Sequence, residues 1–192
     1  MAIITLRITG TSPLLMQADT LVDPLDPITK AHKEITSKRK KTDEDYEAIA
    51  LSEMRSYLYF NEKIGIHVPA VNIEACLRDA AKLNKLGQHV KRGIVVIDDA
   101  KLEYKGPSDP DELVRTRAFQ YAKTVVVQRA RLMRYRPIFN QWACEFSIAY
   151  DDAILNRDEV LAIAENAGKF SGIGTYRPRF GRFSVEVVED LT

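Results

Sequence analysis

The chain is poor in the residues that announce chemistry or export. It has only two cysteines, three histidines and one tryptophan. Cys76 and Cys144 lie far apart, each inside an apolar pattern, so there is no CxxC pair and no disulfide framework; both read as small buried residues. His32, His67 and His89 do not fall at metal-ligand spacing, which leaves no metal site and no cofactor to expect. Apolar runs such as Val125-Val126-Val127 fall far short of the roughly 20 residues a membrane helix needs. The opening Ala2-Ile3-Ile4-Thr5-Leu6-Arg7 has neither a charged leader nor a small-residue cleavage site. A cytoplasmic protein without a membrane partner is the expectation. No Ser/His/Asp order and no carboxylate pair placed for acid–base work declares itself, so no catalytic residue is assigned.

Net charge is scarce too, since 28 Lys and Arg nearly balance 27 Asp and Glu. The charges are nevertheless sorted along the chain. Lys30, Lys33, Lys38, Arg39, Lys40 and Lys41 have only Glu34 among them. From Val114 to Pro137 the chain carries Arg115, Arg117, Lys123, Arg129, Arg131, Arg134 and Arg136 with no acid at all. Lys169, Arg177, Arg179 and Arg182 follow in a third acid-free stretch. Sorting of this kind lets a nearly neutral protein offer a basic stripe to a polyanion.

With 192 residues the chain suits one domain carrying an insertion. Ile4, Leu6 and Ile8 alternate with Thr5, Arg7 and Thr9, a half-buried strand. Residues 11–62 read as an insertion of loop and two helices, Ile28 to Lys40 and Asp43 to Tyr59, the second capped by Thr42 and Asp45. Val71 to Leu83 is an amphipathic helix with Ile73, Cys76, Leu77, Ala80 and Ala81 on one face and Gly87 as its stop. Gly93 to Asp98 is a strand that Ala100 to Tyr104 continues or folds back on. Ala122 to Arg136 reads as strand followed by a basic turn, and Ile138 to Tyr150 as one long strand with Trp142, Cys144, Phe146, Ile148 and Tyr150 inward. A helix capped by Asn156 and Glu159 and a last strand at Phe183 to Val188 complete the chain.

Without the insertion the order is β-α-β-β-α-β. The expected fold is therefore α+β and ferredoxin-like (RRM-like), a four-stranded antiparallel sheet with two helices on one face. Its other face is expected to be bare, to carry the basic strand residues, and to lie beside the glycine-arginine loop; such faces hold single strands in RRM-type modules.

That loop is the most unusual segment. Gly172 and Gly174 permit sharp turns, Arg177, Arg179 and Arg182 suit phosphate oxygens, and Tyr176 and Phe180 suit base stacking. Arg129, Arg131, Arg134 and Arg136 form a second candidate group, with Arg129 and Arg131 pointing away from the core on one strand. Lys38, Arg39 and Lys40, on the inserted helix, form a third.

Three segments together resemble the RAMP superfamily, the RNA-binding proteins of CRISPR systems. Ser12-Pro13-Leu14-Leu15 looks like its opening turn. Val68-Pro69-Ala70-Val71-Asn72-Ile73-Glu74-Ala75-Cys76-Leu77-Arg78 is similar to its lead into the first helix, and Gly172 to Arg182 resembles its glycine-rich loop. The resemblance implies a ferredoxin-like fold of the kind found in backbone subunits that polymerise along guide RNA. It also implies that Arg177, Arg179 and Arg182, and with them Arg78, sit near the strand. The functional expectation is a non-catalytic binder of single-stranded RNA or DNA that forms a homo-oligomer along its ligand. The alternatives are a metal-independent endoribonuclease of the same superfamily, with His32 or His67 as general base, and a structural or interaction protein of a phage.

Overall fold

The computed structural model describes residues 1–127 and 129–191. In chain order its elements begin with β1 (Ala2–Gly10), β2 (Leu14–Leu15), α1 (Pro27–Thr36), α2 (Asp43–Ser56), β3 (Phe60–Asn61), β4 (Gly65–Val68) and α3 (Ala70–Ala81). Next come α4 (Gly87–Gly93), β5 (Ile94–Val96), β6 (Ala100–Lys101), α5 (Pro110–Arg115), β7 (Gln120–Val127) and β8 (Ala130–Phe139). The last are β9 (Ala143–Tyr150), α6 (Arg157–Asn166) and β10 (Phe183–Leu191). The chain is mixed α+β and divides into two units, one made of Met1–Leu14, Asn61–Lys105 and the stretch from Phe139 onward, the other of Leu15–Phe60 and Gly106–Ile138.

The first unit is built on a four-stranded sheet of order β10-β1-β9-β5, every neighbouring pair antiparallel. Its buried side follows the period-2 pattern of the strands: Ile4, Leu6 and Ile8 on β1 sit beside Cys144, Phe146, Ile148 and Tyr150 on β9. Helix α3 buries the expected Ile73, Cys76, Leu77, Ala80 and Ala81 and packs beside α6. Helix α6 opens on a reciprocal cap. The Glu159 N–H donates to Asn156 Oδ1 at 3.0 Å and the Asn156 N–H to Glu159 Oε2 at 2.9 Å. Each fully buried Ile or Leu in this core stabilises by about 1.5–3 kcal/mol.

Several local expectations are corrected. Residues 138–150 are not one strand: β8 ends at Phe139 and β9 begins at Ala143. The break is held by Trp142, whose indole N–H donates to the Ser12 carbonyl at 2.9 Å while its own carbonyl accepts the Gly10 N–H at 2.8 Å. Strand β6 neither continues β5 nor folds back on it; it pairs with β4, Val68 opposite Ala100. Asp99 fixes this course by accepting the first N–H of α3, that of Ala70, at 2.8 Å. Helix α3 ends at Ala81 and passes into a 3-10 turn, Lys82–Asn84, closed by Lys85 at φ +61°; Gly87 opens α4 instead of ending α3.

In the second unit α1 is capped by Asp26, which accepts the N–H groups of Ile28 and Thr29. The helix ends at Thr36, short of the expected Lys40, so Lys38, Arg39 and Lys40 lie in the link to α2 and not on a helix. Thr42 and Asp45 form the expected capping box of α2. The segment read as a strand and a basic turn is a hairpin. β7 and β8 pair from Gln120 opposite Pro137 to Val127 opposite Ala130. Glu53 of α2 organises its base. This carboxylate, 1% exposed, pairs with Arg134 and accepts the Tyr135 N–H at 3.1 Å.

Candidate nucleic-acid interface

The glycine-arginine loop is the centre of the first unit's candidate surface, and its backbone explains its sequence. Gly181 has φ +73°, and a Cβ there would lie 1.7 Å from the Ile173 carbonyl oxygen, so no other residue fits. Gly172, at φ +70°, would bring its Cβ to 2.8 Å from the Phe180 carbonyl oxygen. The loop is closed on itself by the Ile173 N–H, which donates to the Gly181 carbonyl at 2.9 Å.

Around this loop the three segments of the family resemblance meet. The Gly181 N–H donates to the Pro13 carbonyl at 2.8 Å, and the Arg182 N–H to Ser12 Oγ at 2.9 Å. In return the Thr11 N–H donates to the Arg182 carbonyl at 2.8 Å. From α3 the Cys76 thiol donates to the Gly172 carbonyl at 3.0 Å, and Asp79 pairs with Arg177 at 3.7 Å. Burial pushes the Cys76 thiol up to about 12. The thiol therefore stays protonated and serves as a donor, not a nucleophile.

Within the loop the N–H groups of Gly172, Ile173, Phe180, Gly181 and Arg182 all reach protein acceptors. What it presents to solvent are the guanidinium groups. Arg177, Arg179 and Arg182 are exposed, as is Arg78 on α3, and Arg182 Nε is steadied by the Pro178 carbonyl at 2.8 Å. Gly174, at φ +84°, and Tyr176, at φ +55°, shape the outer turn; Tyr176 and Phe180 are half-buried and show only part of each ring.

In the second unit the hairpin divides its cations into two kinds. Arg134 is held by Glu53, and Arg136, 7% exposed, donates through Nε to Gln17 Oε1 at 3.0 Å and lies over the Tyr57 ring. Lys123, Arg129 and Arg131 are exposed. Arg129 belongs to the turn, at φ +70°, and not to the strand on which it was expected to alternate. Farther along the same ribbon Val126 and Met133, 68% and 51% exposed, share one face with Arg131, and Leu132, 40% exposed, lies on the other, so both faces of the distal hairpin meet solvent. In the α1–α2 link Lys38 pairs with Asp45 at 2.6 Å, while Arg39 and Lys40 are exposed.

The bare face of the four-stranded sheet is acidic, which reverses the expectation of a basic one. Arg7 stands at its centre, bound to Glu103 and 3.9 Å from Glu145, with Glu186 opposite it across β10. The hydrogen bond from Arg7 holds the Glu103 carboxyl below its ordinary range. A shallow cavity of about 180 Å³ on this face is lined by Thr5, Asp98, Asp99, Glu145, Phe146 and Ser147. On β1 and β9 this face carries Ile3, Thr5, Arg7, Thr9, Glu145, Ser147 and Ala149, of which Thr9 and Glu145 are exposed and the rest half-buried, with no aromatic for a base to stack on. The basic strand residues missed this sheet because they belong to the hairpin.

Two of the three histidines, His32 and His67, have structural surroundings. His32 is buried against Ser52 Oγ at 3.0 Å, and burial lowers its pKa, so the ring is neutral. His67 is buried, its Nδ1 3.1 Å from the Gly65 carbonyl and its Nε2 3.6 Å from Asp99. Cys144 is likewise buried, its thiol pushed up to about 12 by desolvation. Among the described residues no three His, Cys, Asp or Glu side chains group as a metal site.

Two features escaped the sequence reading. Phe170, 59% exposed, stands at the start of the loop. Lys82, Lys85, Lys91 and Arg92 are exposed and have no acid between Asp79 and Asp98. The acid-free span was countable in the sequence; what hid it was Gly87, read as a stop where a further helix begins. Comparison of the chain with family models and with curated proteins finds no match.

Proposed function

We propose that this protein is a non-catalytic binder of single-stranded RNA that forms a homo-oligomer along its ligand, in the manner of RAMP-superfamily backbone subunits. The observation that carries the reading is the hairpin β7–β8. It is acid-free, it holds Lys123, Arg129 and Arg131 exposed, and it keeps Val126 and Met133 in solvent on the face of Arg131. Cations without interleaved acids attract phosphates, and the exposed apolar side chains offer a base apolar contact without a stacking ring. The exposed arginines of the Gly172–Arg182 loop and Arg78 give the first unit its own cationic surface. The meeting of the three motif segments at that loop supports the family resemblance.

The finer fold assignment belongs to the same proposal. Counting only the strands of the four-stranded sheet, β1, β5, β9 and β10, their order is four-one-three-two. Helices α3 and α4 lie between the first and second, and α6 between the third and fourth. This order and alternation support the ferredoxin-like reading. Within the first unit the strand is assigned to the loop, not to the acidic sheet face, and the second unit contributes its own contact through the hairpin.

The test is a binding series with single-stranded RNA, single-stranded DNA and duplex at two salt concentrations, read by fluorescence anisotropy and size exclusion. Affinity for single strands should fall steeply with salt and vary little with sequence. No binding to any of them at low salt would sink the proposal.

A second reading, as an interaction protein, is favoured by one observation. The acidic sheet face adjoins an edge strand whose Val95 is half exposed, followed by the similarly exposed Ile97, a surface suited to a basic protein partner. A complex that forms without nucleic acid and dissolves on charge reversal of Glu145 and Glu186 would support it.

A further inference from the structure

A cleft of about 300 Å³ lies between α4 and the turn that joins β9 to α6, lined by Gln88, His89, Arg92, Ala153 and Ile154. Gln88 and Arg92 are four residues apart and His89 is three before Arg92, so the three share one face of α4. The facing wall is apolar. It stands close, since a Cβ on Gly93 would come within 3.0 Å of the Ile154 side chain. The acid that begins the turn is engaged elsewhere: Asp151 Oδ1 accepts the Ala153 N–H at 3.0 Å, and the Asp151 N–H donates to the Gly93 carbonyl. Asp152 is exposed and does not line the cleft. Lys85 and Lys91 are exposed in the same acid-free span, which ends at Asp98, while Lys82 is paired with Asp79 at 2.7 Å.

We propose that this cleft binds the phosphate monoester of a nucleotide, with Arg92, His89 and Gln88 donating to the phosphate and Ala153 and Ile154 carrying the face of the nucleoside. A planar guanidinium matches two phosphate oxygens at once. A cationic wall opposite an apolar one fits a ligand with one charged and one flat end, which a nucleotide has and inorganic phosphate lacks. The same chemistry has two sources, a free mononucleotide and the phosphorylated end of a strand. The strand-end arm rests on the single-strand reading above, while the free-nucleotide arm does not.

The experiment is an amide-resolved NMR titration of the full chain with adenosine 5′-monophosphate, adenosine and inorganic phosphate. Anisotropy with short oligoadenylates bearing a phosphate or a hydroxyl at either end accompanies it. The monophosphate should shift Gln88 to Arg92 and Ile154 and bind about tenfold or more tightly than adenosine. Arg92→Glu should abolish this and Arg92→Lys reduce it. Arg92 is exposed, and retained amide dispersion will verify that both variants fold. Preference for a phosphorylated end, lost in Arg92→Glu, identifies the strand terminus as ligand; shifts with the monophosphate alone identify a free nucleotide. Equal binding of adenosine and its monophosphate, shifts mapping elsewhere, or an unaffected Arg92→Glu variant overturns the site. Those outcomes are separate from failure of the single-strand reading. Failure of strands to bind with the monophosphate still mapping to the cleft overturns the single-strand reading alone; hydroxyl-ended strands binding wild type and Arg92→Glu alike, with the cleft silent, overturns the site alone.

Discussion

The Gly172–Arg182 loop and the β7–β8 hairpin have similar cation content and opposite construction. In the loop the backbone does the holding. Its amides close on Ala167, Ile173 pairs with Gly181, and the Ser12-Pro13 turn fastens its end, so Arg177, Arg179 and Arg182 are left at the surface. In the hairpin two of the cations do the holding. Arg134 neutralises the buried Glu53 and Arg136 lies against Gln17 and Tyr57, while the distal Arg129 and Arg131 stand exposed. A basic residue is therefore a candidate phosphate ligand only after its own acceptors have been accounted for. Arg131 and Arg134 have the same charge and are three residues apart, yet they stand in different classes.

The largest effect that can break this comparison is expected at Glu53. Glu53→Ala leaves Arg134 without its carboxylate and opens a hole in α2's buried face. The cost should be about 3 kcal/mol, at the low end for a broken buried pair because Arg134 keeps some water. Denaturant unfolding measures it, and a loss under about 1 kcal/mol would mean that the hairpin is not anchored by this pair. Next is Gly181→Ala. The added methyl meets the Ile173 carbonyl oxygen and sits on a positive-φ backbone, for an expected loss of about 2–3 kcal/mol. If thermal unfolding is unchanged, the loop is not closed in the way described.

Much of the first unit was legible because each signal was local. Ile4, Leu6 and Ile8 announced β1 by alternation, and Asn156 with Glu159 announced α6 by capping. The hairpin was not legible as a hairpin because its turn carries no Asn-Gly or Gly-Gly pair; Arg129 takes up the positive φ itself. The acid character of the bare sheet face was hidden for a different reason. Arg7 on β1 looks basic in sequence, and only strand register brings Glu145 and Glu186 beside it. Of the candidate site, the glycine-arginine loop was found by composition. The burial of Arg136 was not, because the tertiary partners Gln17 and Tyr57 lie far away in sequence.

Smaller changes sharpen the comparison without unfolding anything. Arg131→Ala removes an exposed cation and should alter stability by no more than about 0.5 kcal/mol. If the binding proposal holds, it should lower the slope of log affinity against log salt by about 1, and Arg179→Ala should do the same for the loop. Arg136→Ala should behave in the reverse sense, losing stability through its buried contacts with Gln17 and Tyr57. Equal salt slopes in Arg131→Ala and wild type would remove the distal hairpin from the interface.

The smallest expected effect is a pH dependence that belongs to the second unit alone. His32 is buried beside Ser52, and desolvation lowers its pKa, opposed by the nearby Glu53 and assisted by Arg134. The unfolded chain therefore binds a proton at His32 more readily than the folded one does. Stability contributed by the neutral ring is complete above the unfolded value, about 6.5, and declines as pH falls below it toward the folded value. Unfolding midpoints measured from pH 7.5 down to 5.5, about one unit to either side of that value, should fall more steeply for wild type than for His32→Gln, whose side chain carries no titrating group. Using the difference between the two proteins removes the carboxylates and every other group that titrates in both. Parallel profiles would mean that the ring is as protonatable in the fold as outside it. The packing of α1 on α2 would then not exclude water from the Glu53–Arg134 anchor, and the hairpin would be held no more firmly than its exposed end suggests.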